Sequence, residues 1–348
     1  MSRLAWIFVL LVFSACEDRA DYFFDYKAFP DLLALPNGEL ICAFYSGWEH
    51  ISHGSRRQAP RNGGRVLLSR SIDLGKTWSN PTVIFDSKLD DRDASLFLDK
   101  TGILYCSFFV LDQTKDFVTT KVLLAKSYDL GRSWLPPTEL RPNDIATSSP
   151  LMQLDQGIFL PVYDIAKNRP SICQVLRSTD GGVNWSDPVT VMAHPEISLS
   201  EPSLCVFQDR VFMVARADEL RDNMRLIESN DGGNTWTDLI DLGFPGHAPF
   251  LYNFKDSVVL LGHRHPLTSV RIGAGRPLTF SDPIVIDHDY GSYGAYPSIA
   301  EIDRGRLMVA YYVETRDFST AEIRFRYLSI KNENIIISGL ISKIKIAD

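Results

Sequence analysis

Ser71-Ile72-Asp73-Leu74-Gly75-Lys76-Thr77-Trp78 decides the fold, because the chain repeats it. The pattern Ser-x-Asp-x-Gly-x-x-Trp returns from Ser127 to Trp134, from Ser178 to Trp185 and from Ser229 to Trp236, at steps of 56, 51 and 51 residues. A decayed copy falls near Gly275 to Phe280, where Ser281-Asp282-Pro283 repeats the Ser186-Asp187-Pro188 that follows the third Trp. Aspartate accepts backbone N–H groups within a turn, glycine supplies positive φ, and tryptophan buries a large ring against the flanking strands. Each copy follows an apolar run such as Val66-Leu67-Leu68 or Val122-Leu123-Leu124, so each reads as a hairpin turn. The four aspartates are spread along the chain at repeat spacing, which makes them structural rather than metal ligands. No Cys or His pair has the spacing of a metal site, so neither metal nor cofactor is expected.

A second register runs between these turns. Six segments share a start residue, an apolar strand, a polar turn and another apolar strand: Asp31 to Ser46, Asp93 to Val110, Ser149 to Asp164, Glu201 to Arg216, Ala248 to Arg264, and Tyr296 to Glu314. Two strands here and two around each turn give four per repeat. The prediction is an all-β chain, a six-bladed β-propeller of four-stranded blades over residues 22–348.

Composition agrees. The chain has 348 residues, 45% hydrophobic and 23% charged, which excludes wholesale disorder. Its net charge of -7 argues against a nucleic-acid partner. Met1-Ser2-Arg3, the apolar run Leu4 to Phe13 and Ser14-Ala15-Cys16 have the layout of a secretory signal over residues 1–16. Cys16 directly after small residues also resembles a bacterial lipobox, which predicts an exported protein, periplasmic or at the outer membrane or cell surface, lipid-anchored through Cys16. Cys42, Cys106, Cys173 and Cys205 sit in apolar runs and read as buried free thiols.

The octapeptide is an Asp-box (BNR repeat). With six hairpins, it makes the chain resemble the sialidase (neuraminidase) superfamily over nearly its whole mature length. That resemblance implies a glycoside hydrolase acting on a glycan. Catalytic residues would stand at the hairpin ends, around the axis. Glu201 opens the fourth hairpin and Arg216 closes it. Arg264 closes the fifth. Tyr296 opens the sixth and Glu314 closes it. These match a tyrosine nucleophile paired with a glutamate, and arginines that grip a substrate carboxylate. The chemistry requires those types. A phenol stays neutral until the glutamate takes its proton, so it approaches an anionic sugar without repulsion. Sialidases are the general example of a tyrosine nucleophile among glycosidases. Arginine's planar fork binds a carboxylate through two parallel bonds. Asp93, in Asp93-Ala94-Ser95, matches a pocket-facing aspartate of the family, although Arg92 beside it offers a structural ion pair instead.

Two departures stand out. Where the family has an Arg-Ile-Pro type motif, this chain has Tyr26-Lys27-Ala28-Phe29-Pro30, with Lys27 as the nearest positive charge. The family's acid/base aspartate lies between the first hairpin and the first Asp-box, yet no Asp occurs from Gly47 to Ser71. Trp48, Glu49, His50 and His53 fill that stretch. Glu49 or His50 is then the proton carrier, and Trp48 and His53 are sugar-binding candidates. His247, His263 and His265 are expected to line the same cavity, with Arg271 and Arg276 as alternatives to Arg264. The expected function is retaining hydrolysis of a terminal, acidic sugar. The rival readings are a noncatalytic carbohydrate-binding propeller and a structural protein that reuses the scaffold.

Overall fold

The computed structural model describes residues 25–52, 63–112, 119–140, 143–166, 168–219, 221–265, 267–288, 295–315, 319–331 and 334–344. The N-terminal segment with Cys16, and His53, lie outside these. All the regular elements among the described residues are β-strands, and no helix among them is long and apolar enough to cross a membrane. Runs rich in β-branched and aromatic residues form the strands. Leu40–Gly47 is buried at every position, as a strand covered on both faces must be.

Among the described residues the strands form a β-propeller arrangement, but in five sheets rather than six separate ones. Four sheets are separate units of four or five strands. The fifth has eight strands. It holds both the first four strands, from Tyr26–Ala34 to Thr82–Phe85, and the last four, from Ala295–Asp303 to Asn334–Lys343. A single parallel bridge between Tyr26 and Ala321 fuses them. The repeat count missed this, because a bridge between chain ends leaves no periodic signal. The apolar core lies between neighbouring units, and one cluster mixes Tyr26 and Phe44 from the chain's start with Met308 and Phe325 from its end.

The Asp-boxes behave as their composition predicts. Each serine Oγ accepts the glycine N–H four residues on, at 2.7–2.8 Å. Each aspartate Oδ1 accepts the N–H four residues on, at 2.8–2.9 Å. Both aspartate oxygens are consumed by the turn. In the decayed copy the turn's own bonds are gone, yet Ser281 N–H still reaches the Ile272 carbonyl at 2.8 Å, as Ser79 reaches Arg70. Phe280 therefore stands where the other copies carry Trp. Cys42, Cys106, Cys173 and Cys205 are free and buried.

Five inner strands carry a bulge at the start, with register shifts after Ala28, Arg92, Ser200, His247 and Ala295. The bulged residues Phe29, Asp93, Glu201, Ala248 and Tyr296 all have φ between 41° and 52°. Non-glycine residues adopt that conformation at a cost of roughly 1 kcal/mol or more, and it clusters where a side chain must be re-aimed. The first repeat therefore starts at Phe29, two residues before the expected Asp31.

Two residues beyond three of these bulges, side chains bolt one inner strand to the next. Ser298 Oγ accepts Leu32 N–H at 3.0 Å and donates to Asp31 Oδ1 at 2.6 Å. Asp31 Oδ2 accepts Leu96 N–H at 2.6 Å, and Ser203 Oγ accepts Leu251 N–H at 3.0 Å.

Candidate functional site

The bulges converge on one axial pocket, lined in part by Phe29, Asp93, Ser148, Ala248 and Tyr296. At its wall the Tyr296 hydroxyl donates to Oε1 of Glu201. Arg216 Nη1 lies 3.0 Å from the same oxygen, and Ala248 N–H donates to Oε2 at 3.1 Å. Arg216 is itself fixed by Ser200 Oγ at 2.9 Å and Asp218 Oδ1 at 3.2 Å. The Arg264 guanidinium sits 5.7 Å from the Tyr296 ring centroid. Fourth, fifth and last repeats thus bring a phenol, a carboxylate and two guanidinium groups together.

The electrostatics follow from burial and these neighbours. Burial alone pushes the Glu201 carboxyl up, but Arg216, the Tyr296 hydroxyl, Arg264 and His247 outweigh it and hold it below the ordinary glutamate range. Burial and the charges of Glu201 and Asp93 push the Tyr296 phenol well above its usual value. The resting pair is therefore a neutral phenol donating to a carboxylate, which is the state a general base and its nucleophile need. Burial pushes Asp93 up to about 7, with Glu201 and Asp90 reinforcing it and Arg92 opposing. Burial, Arg216 and Arg264 hold His247 down at about 4, so it is neutral at pH 7.

Arg92, offered by the sequence as an ion-pair partner, is buried and central. It binds Asp90 Oδ2 at 3.1 Å, approaches Asp93 Oδ1 at 3.9 Å, and lies 4.9 Å from the Phe29 ring centroid. It also donates to the His50 carbonyl at 2.6 Å. Ser52 Oγ accepts the Trp48 N–H at 3.0 Å and the Tyr45 hydroxyl at 2.7 Å. These bonds hold the Trp48-Glu49-His50 loop against the first and second repeats. Gly64 makes room, since a Cβ there would meet the Tyr45 ring at 1.9 Å. The loop presents the His50 imidazole, whose Nδ1 is 3.0 Å from the Tyr26 hydroxyl and 3.5 Å from Glu314 Oε1. Glu49 turns its main-chain carbonyl toward the Tyr45 hydroxyl, 3.3 Å away.

Other expected residues fall elsewhere. Lys27 points away from the pocket: side chains alternate along a strand, and its charged neighbours are Asp25 and Glu322. The inward neighbours of Lys27 are Tyr26 and, after the bulge, Phe29. His263 is fully buried and receives Arg271 Nε–H at 3.1 Å. Arg271 lies flat on Phe244, 3.8 Å from its centroid, and Arg276 reaches the Gln208 carbonyl on an outer turn at 3.4 Å. None of these three reaches the axis. Sequence reasoning missed Tyr26 and Tyr163. Burial, Glu201 and Asp93 raise the Tyr163 phenol, which marks it as a neighbour of the site. A bulge-corrected register identifies Tyr26; nothing in the repeat flags Tyr163.

The family model described as a BNR repeat-like domain matches residues 65–309. Among solved structures, the chain is similar to a protein of unknown function from Dyadobacter fermentans, with TM-score 0.75 at 21% identity over 88% of this chain and 95% of that one. It is similar to the intramolecular trans-sialidase from Ruminococcus gnavus, solved with oseltamivir carboxylate, at TM-score 0.61 and 14% identity over 83% and 90% of the two chains. It is also similar to the α-L-arabinanase of Penicillium chrysogenum, solved with arabinobiose, at TM-score 0.62 and 16% identity over 87% and 94%. At these identities the likeness establishes a shared fold. Against curated protein sequences the chain finds no match.

Proposed function

We propose, since the chain belongs to the BNR repeat-like domain family, that it is an exo-acting glycoside hydrolase of sialidase-like type. Its scaffold is read as six radial units, the eight-stranded sheet counting as two. The observation that carries the reading is the Tyr296 hydroxyl on Glu201 within a buried, arginine-flanked pocket. Glu201 takes the phenolic proton as Tyr296 attacks the anomeric carbon. The glycosyl group passes to Tyr296, and water then releases it with retention. Arg216 and Arg264 hold an acidic substituent, and Asp93 and Trp48 border the sugar. The substrate is a terminal, acidic sugar of a glycan; the carboxylate ligand of the R. gnavus trans-sialidase structure, oseltamivir carboxylate, supports the acidic group, and the arabinobiose of the P. chrysogenum structure supports a sugar. Export through the N-terminal segment belongs to the same proposal and is tested by fractionation.

Turnover of a fluorogenic sialoside, beside fluorogenic uronosides and neutral glycosides, tests the reading. Cleavage of an acidic glycoside supports it. One observation favours the noncatalytic carbohydrate-binding alternative: the first repeat places an apolar side chain, Phe29, at its pocket position. That alternative predicts glycan binding with no product from any member of the panel.

A further inference from the structure

Three side chains beside the pocket take no part in the chemistry of Tyr296 and Glu201. Tyr26 is fully buried, and its hydroxyl donates to Oε1 of Glu314. The Glu314 side chain is also fully buried, and its Oε2 has no hydrogen-bond partner among the described residues. His50 completes the cluster, with its imidazole 37% exposed. A buried carboxylate therefore reaches a solvent-facing imidazole through a phenol. A phenol has one proton, and Glu314 engages it. The His50 contact at 3.0 Å must then be Nδ1–H donating to the phenol oxygen. That fixes the tautomer and leaves Nε2 as the nitrogen free to exchange a proton. The cluster adjoins the nucleophile. The Phe29 ring packs edge-on against both His50, at 5.4 Å, and Tyr296, at 4.9 Å.

We infer that His50 is the acid/base of this site, and that Tyr26 and Glu314 are its positioning residues. The inference rests on the glycosidase reading above. In the first step the His50 imidazolium gives its Nε2 proton to the glycosidic oxygen, leaving the neutral Nδ1–H tautomer, as the C–O bond breaks and its electron pair moves to that oxygen. Tyr296 bonds to the anomeric carbon and its proton goes to Glu201. In the second step Nε2 takes a proton from water, whose oxygen bonds to the anomeric carbon. The Tyr296–carbon bond breaks, and the phenolate recovers its proton from Glu201. The charges facing His50 are Glu314 from the last repeat, Arg92 from the second and Arg264 from the fifth, with Tyr26 from the first.

Two leaving groups separate this from the parent reading. In the full-length chain, His50→Gln should lose about 10²–10³-fold on sialyllactose, whose leaving oxygen needs a proton. The loss should be below about tenfold on an aryl sialoside, whose phenolate departs unaided. Equal losses on the two overturn the assignment. Glu314→Gln should move the alkaline limb of kcat/KM to lower pH, because the imidazolium loses its counter-charge. An unmoved limb overturns the positioning role. NMR titration of the His50 imidazole needs no turnover. Its midpoint should fall in Glu314→Gln and shift in Tyr26→Phe, the milder variant should the first fold poorly. A wild-type midpoint in both refutes the cluster. If the wild-type panel shows no cleavage, the hydrolase reading falls, and the titration still decides whether Glu314 and Tyr26 govern His50.

Discussion

Replacing Tyr296 by Phe removes a single oxygen from the centre of the pocket, and its two effects differ greatly in size. The ring keeps its edge contact with Phe29 at 4.9 Å and its neighbour Tyr312 at 6.1 Å. Glu201 loses one donor but keeps Arg216 at 3.0 Å and the Ala248 N–H at 3.1 Å. A hydrogen bond to a charged group contributes about 1.5–3 kcal/mol, and with two partners left the net loss is about 1–2 kcal/mol. For a chain of this size that lowers Tm by only about 1.5–3 °C. Turnover, by contrast, loses its nucleophile and falls at least about 10³-fold. Calorimetry beside fluorogenic turnover measures both. Activity within tenfold of wild type would remove Tyr296 as the nucleophile. A Tm drop several times larger than expected would make it a packing residue instead.

Arg264→Gln should raise KM for an acidic glycoside about ten- to a hundredfold and leave a neutral one unchanged; equal effects on both would exclude carboxylate recognition by Arg264. Folded Asp93 keeps its proton to about pH 7, whereas an unfolded aspartate loses it near 3.9. The folded state then binds the extra proton between these values, so this group's contribution to stability falls as pH rises through that window. Asp93→Asn cannot titrate, and its Tm relative to wild type should climb from pH 4 to pH 7; a constant difference refutes the assignment. Trp78 stacks on Phe325 at 4.4 Å and its Nε1–H reaches Ser342 Oγ at 3.2 Å. Trp78→Ala should cost about 3 kcal/mol and speed amide exchange in Ala321–Lys331 and Asn334–Lys343 first; unaltered exchange there would show that this ring does not hold the seam.

Most of the scaffold was legible because its turn chemistry is local. Four residues in eight specify an Asp-box, and the apolar runs around it specify strands. Glu201 and Tyr296 were legible for a related reason, since each precedes Pro-Ser at a strand start and so declares its bulge. The first repeat hid its register: Phe29-Pro30-Asp31 carries Phe where the second, fourth and last repeats are polar, and Asp where those three carry Ser. Counting from Asp31 displaced the start by two residues. Matching to the family's Arg-Ile-Pro type motif made Lys27 look like the site's cation, when strand alternation turns it outward and Tyr26 inward. Arg92 and Glu314 were visible as residues, but their partners are distant in sequence. Arg92 meets His50 from the next repeat, and Glu314 meets Tyr26 across the seam where the chain ends join. Such pairings follow from closure, which no short window of sequence contains.

The bolts between inner strands have a consequence for how such a cavity can change. Asp31, Ser203 and Ser298 point along the ring and tie neighbour to neighbour, while the bulged residues two places earlier point inward. Adjacent positions thus divide the labour of frame and tool. Exchanging Phe29, Asp93 or Ala248 swaps an implement and leaves the frame standing, so new ligand chemistry can arise one position at a time. Exchanging Asp31 or Ser298 loosens the frame itself, and every implement it carries shifts at once.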